Sequence, residues 1–172
     1  MADGFIVSHD DQRLAFQDVG SGARVVFIHG WSLSGEIWRD QVEFLASRGY
    51  RTITYDRRGH GRSDKPKNGY DYDTLANDLA ALLARTDVTN ATLVGHSMGS
   101  GEIARHFARH AGKHIARAMF VAPTTPFAVQ TEDDPEGTDR QIFDRLVDAL
   151  KTDPKAYLAA GAPGLLGNDA AP

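Results

Sequence analysis

The sequence has no cysteine, so it carries neither a disulfide framework nor a thiolate metal site, and it fits a reducing compartment. Charge of one sign is also scarce: 19 Lys and Arg stand against 23 Asp and Glu, a formal charge of -4. So small an imbalance gives no footprint for nucleic acid and no acidic interaction surface. Long apolar runs are missing. The longest, such as Val25-Val26-Phe27-Ile28, are strand-sized and far short of a membrane span. Met1 to Asp11 is polar and acidic with no apolar stretch, so no signal peptide is expected and a cytoplasmic location follows by elimination. Histidine, finally, is missing after His114.

What is present is ordinary for a globular chain. A domain of 172 residues buries about 70% of its unfolded surface. Phe5 to Val7 and Arg13 to Asp18 predict two short strands around a polar turn. Arg24 to Ile28 is a continuous apolar run, expected of a strand covered on both faces. Ile37, Trp38, Gln41, Val42, Phe44 and Leu45 then fall at helical spacing. Arg51 to Tyr55 predicts a strand, Asp73 to Arg85 a helix, Ala91 to Val94 a strand, Ser100 to Arg109 a helix and Ile115 to Val121 a strand. Strands alternating with helices imply an α/β fold, a mostly parallel sheet with helices on both faces.

After Pro123 the rhythm changes. A polar loop reaches Gly137, and Thr138-Asp139-Arg140-Gln141 matches a capping box. The helix it opens carries the stripe Ile142, Phe143, Leu146, Val147 and Leu150. Asp153-Pro154 predicts a second short helix, to about Ala160. The Gly-, Ala- and Pro-rich residues 161–172 are expected to be poorly ordered. The division expected is a core over 1–123, a helical segment over 124–160 and a tail over 161–172.

The chemistry sits in Gly95-His96-Ser97-Met98-Gly99, between a predicted strand and a predicted helix. This G-x-S-x-G pattern presents a serine on a sharp strand-to-helix turn. The serine backbone is strained there, and the flanking glycines let strand and helix approach. Bare G-x-S-x-G is weak; the strand, the helix and the two upstream strand-helix units give it weight. His29-Gly30-Trp31 follows the apolar strand. An oxyanion needs two backbone N–H donors aimed at one point. Met98, after the serine, is one candidate, and Trp31 is the other.

The run Tyr55-Asp56-Arg57-Arg58-Gly59-His60-Gly61-Arg62-Ser63 matches neither phosphate-binding glycine pattern, so it is read as a structural loop. Its arginines are expected to bond backbone or acidic partners. His96 is expected to point away from Ser97, and His106, His110 and His114 to be surface residues. No H-E-x-x-H or similar spacing occurs, so neither a metal nor a cofactor is expected.

Taken together, these motifs resemble the α/β-hydrolase superfamily, nearest to its cofactor-free haloperoxidase and aryl esterase group. The likeness covers Phe5 to about Tyr157. It implies an eight-stranded sheet, of which about six strands are present, with part of a helical cap. It implies a Ser-Asp-His triad acting on a small ester or acyl substrate, with peracid formation in some members. Ser97 takes the place of the nucleophile, and Trp31 and Met98 those of the oxyanion donors. Ser32 stands where the group often has proline.

The resemblance puts the acid after a seventh strand and the histidine after an eighth. Ala122-Pro123-Thr124-Thr125-Pro126 offers no carboxylate after the sixth. The expectation is a truncated hydrolase lacking its Asp and His, with the alternatives of an inactive binding remnant or half of a split enzyme. Ala118 to Val121 is then an apolar strand on an open edge, predicting self-association or a complementing C-terminal fragment. Leu33, Trp31 and the Ile142 face are candidates to line the pocket.

Overall fold

A computed structural model describes residues 2–124 and 129–166, with backbone alone for 162–166. It divides into two compact units, Met1–Thr125 and Pro126–Pro172. The first is built on a six-stranded sheet: β1 (Ala2–Val7), β2 (Arg13–Gly20), β3 (Ala23–Ile28), β4 (Tyr50–Tyr55), β5 (Ala91–His96) and β6 (Ile115–Val121). The spatial order is β1-β2-β4-β3-β5-β6. β1 and β2 form an antiparallel hairpin, and β2 lies antiparallel to β4. The other four strands run parallel, as the strand-helix alternation predicts.

Period-two alternation divides the sheet residues between two cores. Val26, Ile28, Ile53 and Leu93 face helices α2 (Tyr72–Arg85) and α3 (Met98–His110), which add Leu79, Leu82, Leu83 and Ile103. Val25, Phe27 and Val94 face the other way, onto Trp38 and helix α1 (Arg39–Ala46), which adds Val42 and Leu45. This second core is the smaller. Asp71 caps α2, accepting from Thr74 N at 2.9 Å, and the helix buries Leu75, Leu79, Leu82 and Leu83 at helical spacing.

Several boundaries differ from the sequence expectation. α3 starts at Met98, not Ser100, because Gly99 lets the helix begin directly against β3. In the second unit, α4 spans Arg140–Thr152 and its cap is Asp139 rather than Thr138. The Asp139 carboxylate accepts from Gln141 N at 2.8 Å. Asp153 does cap the next helix, α5 (Pro154–Leu166), accepting from Ala156 N at 2.9 Å. That helix runs past Ala160 to Leu166, through residues expected to be poorly ordered, although Gly161, Pro163 and Gly164 are weak helix formers. The rest of the expected tail, 167–172, lies outside the described residues.

Candidate active site

Ser97 stands where β5 turns into α3. Its backbone is at φ 52, ψ -119, outside the comfortable regions for an L-residue. Tight packing holds it there. A Cβ on Gly99 would lie 2.6 Å from the Ile28 carbonyl oxygen, and one on Gly95 would lie 2.7 Å from Ile103 Cδ1. No larger residue fits either position. Backbone bonds complete the turn: Ser97 N–H donates to Val121 O at 3.0 Å, and Ser100 N–H to Ser97 O at 2.9 Å. The Ser100 hydroxyl donates to Gly95 O at 2.8 Å.

The half-buried Ser97 caps the N-terminus of α3, and Met98 is the first helical residue. Backbone N–H groups there have no partner within the helix, and the helix dipole favours negative charge. The loop after β3 closes on the same point. A Cβ on Gly30 would lie 3.3 Å from Ser97 Cβ and 2.8 Å from His96 Nδ1. Trp31, the next residue, is exposed. Gly30 and Ser97 thus meet from two segments far apart in sequence, with Trp31 and Met98 next to them in the chain.

Two histidines lace this loop to the one after β4. His29 is buried and donates from Nδ1 to Gly30 O at 2.7 Å, while its Nε2 accepts from Arg57 N–H at 3.0 Å. Burial, with the nearby Arg57 charge, pushes the His29 imidazole down to about 3, so it is neutral. His60 donates from Nδ1 to Arg58 O at 3.0 Å and accepts at Nε2 from Ser32 N–H at 3.3 Å. The two rings meet edge-on at 5.1 Å.

Beneath the elbow lies a buried ionic cluster. Tyr55 O–H donates to the Glu102 carboxylate, whose other oxygen is 3.4 Å from an Arg57 nitrogen. Burial pushes the Glu102 carboxyl up to about 7, against the pull of Arg57. Arg58, fully buried, bridges Asp78 at 2.6 Å and Asp10 at 2.8 Å. This guanidinium fills the one place where His9, Asp10 and Asp78 come together. Asp56 accepts from Gly35 N at 2.8 Å and Arg62 N at 2.9 Å, tying the two loops once more.

His106 is a correction. It is buried, not on the surface, with its ring between Ala76 O at 3.4 Å and Lys113 O at 3.5 Å. The signal was available: His106 lies one helical turn after Ile103, on the inward face of α3. His110 is half-buried against Asn77 at 3.1 Å, and His114 is half-buried too. Phase along the helix, rather than residue type, decided His106 and His110, while His114 lies beyond the helix in the turn before β6.

A strained serine at the junction of a parallel strand and a helix, facing a glycine loop from the neighbouring strand, defines a class. The chain belongs to the α/β-hydrolase fold family, which matches residues 23–165. A non-heme haloperoxidase of Rhodococcus erythropolis is 41% identical over 160 residues, 93% of this chain and 58% of that protein. An esterase from Exiguobacterium antarcticum superposes with a TM-score of 0.88 at 32% identity, covering 92% of this chain and 59% of that one. A bromoperoxidase from Bacillus anthracis does so at 0.85 and 39% identity, covering 91% of this chain and 58% of that one. The chain spans 52 to 58% of the length of three curated relatives it matches.

Proposed function

We propose that this chain carries the nucleophile and oxyanion half of a serine hydrolase for small carboxylic esters. The observation that carries this is Ser97 at φ 52 on the β5–α3 junction, with Gly30 close enough for a Cβ to approach the serine at 3.3 Å. In this reading Ser97 Oγ attacks the ester carbonyl. The oxyanion that forms takes hydrogen bonds from the backbone N–H groups of Met98 and Trp31. The carbonyl re-forms, the alcohol leaves with a proton, and water later releases the acyl group.

The histidine base is proposed to come from outside the described residues. His29 is buried and neutral, His60 is bonded to Ser32 and Arg58, and His106 is enclosed between α2 and the turn before β6. Glu132 and Asp133 are exposed in the second unit. Without a base, serine stays protonated and weakly nucleophilic, but an oxyanion hole alone retains about 10³-fold catalysis. The ester reading leads over peracid formation because Ser32, not proline, follows Trp31.

A fluorophosphonate probe tests this. Slow labelling is expected, lost in Ser97→Ala and accelerated by a C-terminal segment carrying Asp and His. Saturable ester binding with no Ser97-dependent labelling is the outcome expected of a non-catalytic binding module, and it would overturn the proposal.

A further inference from the structure

The loops after β3 and β4 leave the sheet side by side, since Ile28 and Tyr55 pair in register at the ends of parallel neighbours. Each loop contributes one imidazole, and each imidazole accepts a backbone N–H from the other loop: His29 from Arg57, His60 from Ser32. Both rings carry their proton on Nδ1, because that nitrogen faces a carbonyl oxygen in each case. The arrangement is reciprocal. Neither accepted bond survives if its imidazole takes a second proton.

The peptide groups so held are the two on either side of Trp31. Gly30 O and Trp31 N belong to one planar trans group, so pinning the oxygen with His29 turns the Trp31 N–H the opposite way. The next group, Trp31 to Ser32, is pinned by His60. Ser32 sits at φ 61, a left-handed conformation that a serine holds only when its surroundings impose it. The Ser32 N–H bond to His60 is such a constraint.

We propose that His60 is a positioning residue for the oxyanion peptide, acting through Ser32, and that its protonation releases this loop. The proposal rests on the hydrolase reading for the purpose it assigns, not for the geometry. The groups around the His60 ring set its response. Burial, Arg57 and Lys65 disfavour the second proton; the Arg58 carbonyl and Asp56 favour it; the neutral His29 ring lies edge-on. The balance leaves His60 below its ordinary range.

The test uses the full chain labelled with nitrogen-15. His60 is expected as the Nδ1–H tautomer at pH 7.5, titrating below 6.5. Hydrogen exchange of the Ser32 amide is expected to speed up roughly tenfold in His60→Phe, the scale of one lost hydrogen bond. The Leu93 amide, in the core, is expected to keep its protection. His60→Gln, whose side-chain oxygen can accept from Ser32, is expected to restore protection and remove its pH dependence. An Nε2–H tautomer, or unchanged Ser32 exchange in His60→Phe, overturns the proposal whatever the labelling shows. Fluorophosphonate labelling separates the two ideas. If Ser32 responds as expected but Ser97 never labels, the loop linkage stands and the hydrolase reading falls. If Ser97 labels equally well in His60→Phe and wild type, the positioning role falls and the hydrolase reading stands.

Discussion

Gly30 lies against Ser97 so closely that a Cβ on it would stand 3.3 Å from the serine Cβ and 2.8 Å from His96 Nδ1. Gly30→Ala must therefore push the loop after β3 away from the elbow. Displacing a reacting geometry by about 1 Å costs on the order of a hundredfold in rate. Fluorophosphonate labelling of Ser97 is expected to fall by about that factor, with a stability loss of ~1–3 kcal/mol from overpacking. Gly161→Ala, where a Cβ meets nothing within 4 Å, is the control: labelling is expected to stay the same and stability to hold or rise by up to ~1 kcal/mol, since Ala favours helix over Gly. Unaltered labelling in Gly30→Ala would mean that this loop is no part of the reacting centre.

Arg57 and Glu102 are both buried, and their 3.4 Å pairing is joined by Tyr55. Removing one partner leaves an uncompensated charge out of water. Above pH 7, where the carboxyl is ionised, Glu102→Ala is expected to cost ~3–5 kcal/mol in urea unfolding. The double change Arg57→Met with Glu102→Leu is expected to recover most of it, since no unpaired charge remains. The ionisation has its own sign. Glu102 sits at about 7 in the fold against 4.5 unfolded, so the native state holds the proton more tightly. The Glu102 contribution to stability is then lost as pH rises from about 4.5 to 7. The double variant should lack this decline, and an identical slope in both proteins would refute it.

His29 gives the opposite slope. Its folded value of about 3 lies below the ordinary 6.5, so the unfolded chain binds the extra proton first. The His29 contribution is complete above pH 6.5 and drains away as pH falls toward 3. The loss is on the order of 4 kcal/mol if no other group compensates. In His29→Gln the side-chain oxygen can still accept from Arg57 N–H but cannot titrate. Its acid limb should be shallower in urea titrations between pH 6.5 and 4. Equal limbs would show that His29 is not held neutral by the fold.

Local patterns made the sheet legible. The apolar run of β3 announced a strand covered on both faces, and Gly95, Ser97 and Gly99 announced a tight turn because they fall between a predicted strand and a predicted helix. The long-range polar pairings had no such signature. Ser32 and His60 are 28 residues apart, and Tyr55 and Glu102 are 47 apart. They meet because β3, β4 and β5 are neighbours in space, and that order follows from packing rather than from any motif. The cap at Asp139 was missed for a different reason. Thr138 and Asp139 both carry oxygens that can cap, and backbone geometry, with Asp139 at φ -53, ψ 130, decided between them.

The end of β6 from Ala118 to Val121 is apolar on both faces, yet among the described residues only β5 pairs with it. Met119, Phe120 and Val121 are all exposed. Met119 and Val121 border an open groove of about 680 Å³ that Trp38, Phe44 and Val94 also line. Phe120 points to the opposite face by strand alternation. An interior-type strand on a free edge is a template for association. The chain is expected to associate with concentration at micromolar levels, read by size-exclusion chromatography with light scattering. Met119→Lys with Phe120→Lys is expected to shift it to monomer, because charge on an edge strand opposes pairing. The elbow gives a second readout, since Ser97 N–H is anchored on Val121 O at the end of this strand. A paired β6 is stiffer, so Ser97 labelling per chain is expected to rise with concentration in the wild type and stay flat in the double variant. A monomer across that range, with concentration-independent labelling, would show that the β6 edge is tolerated in water as it stands.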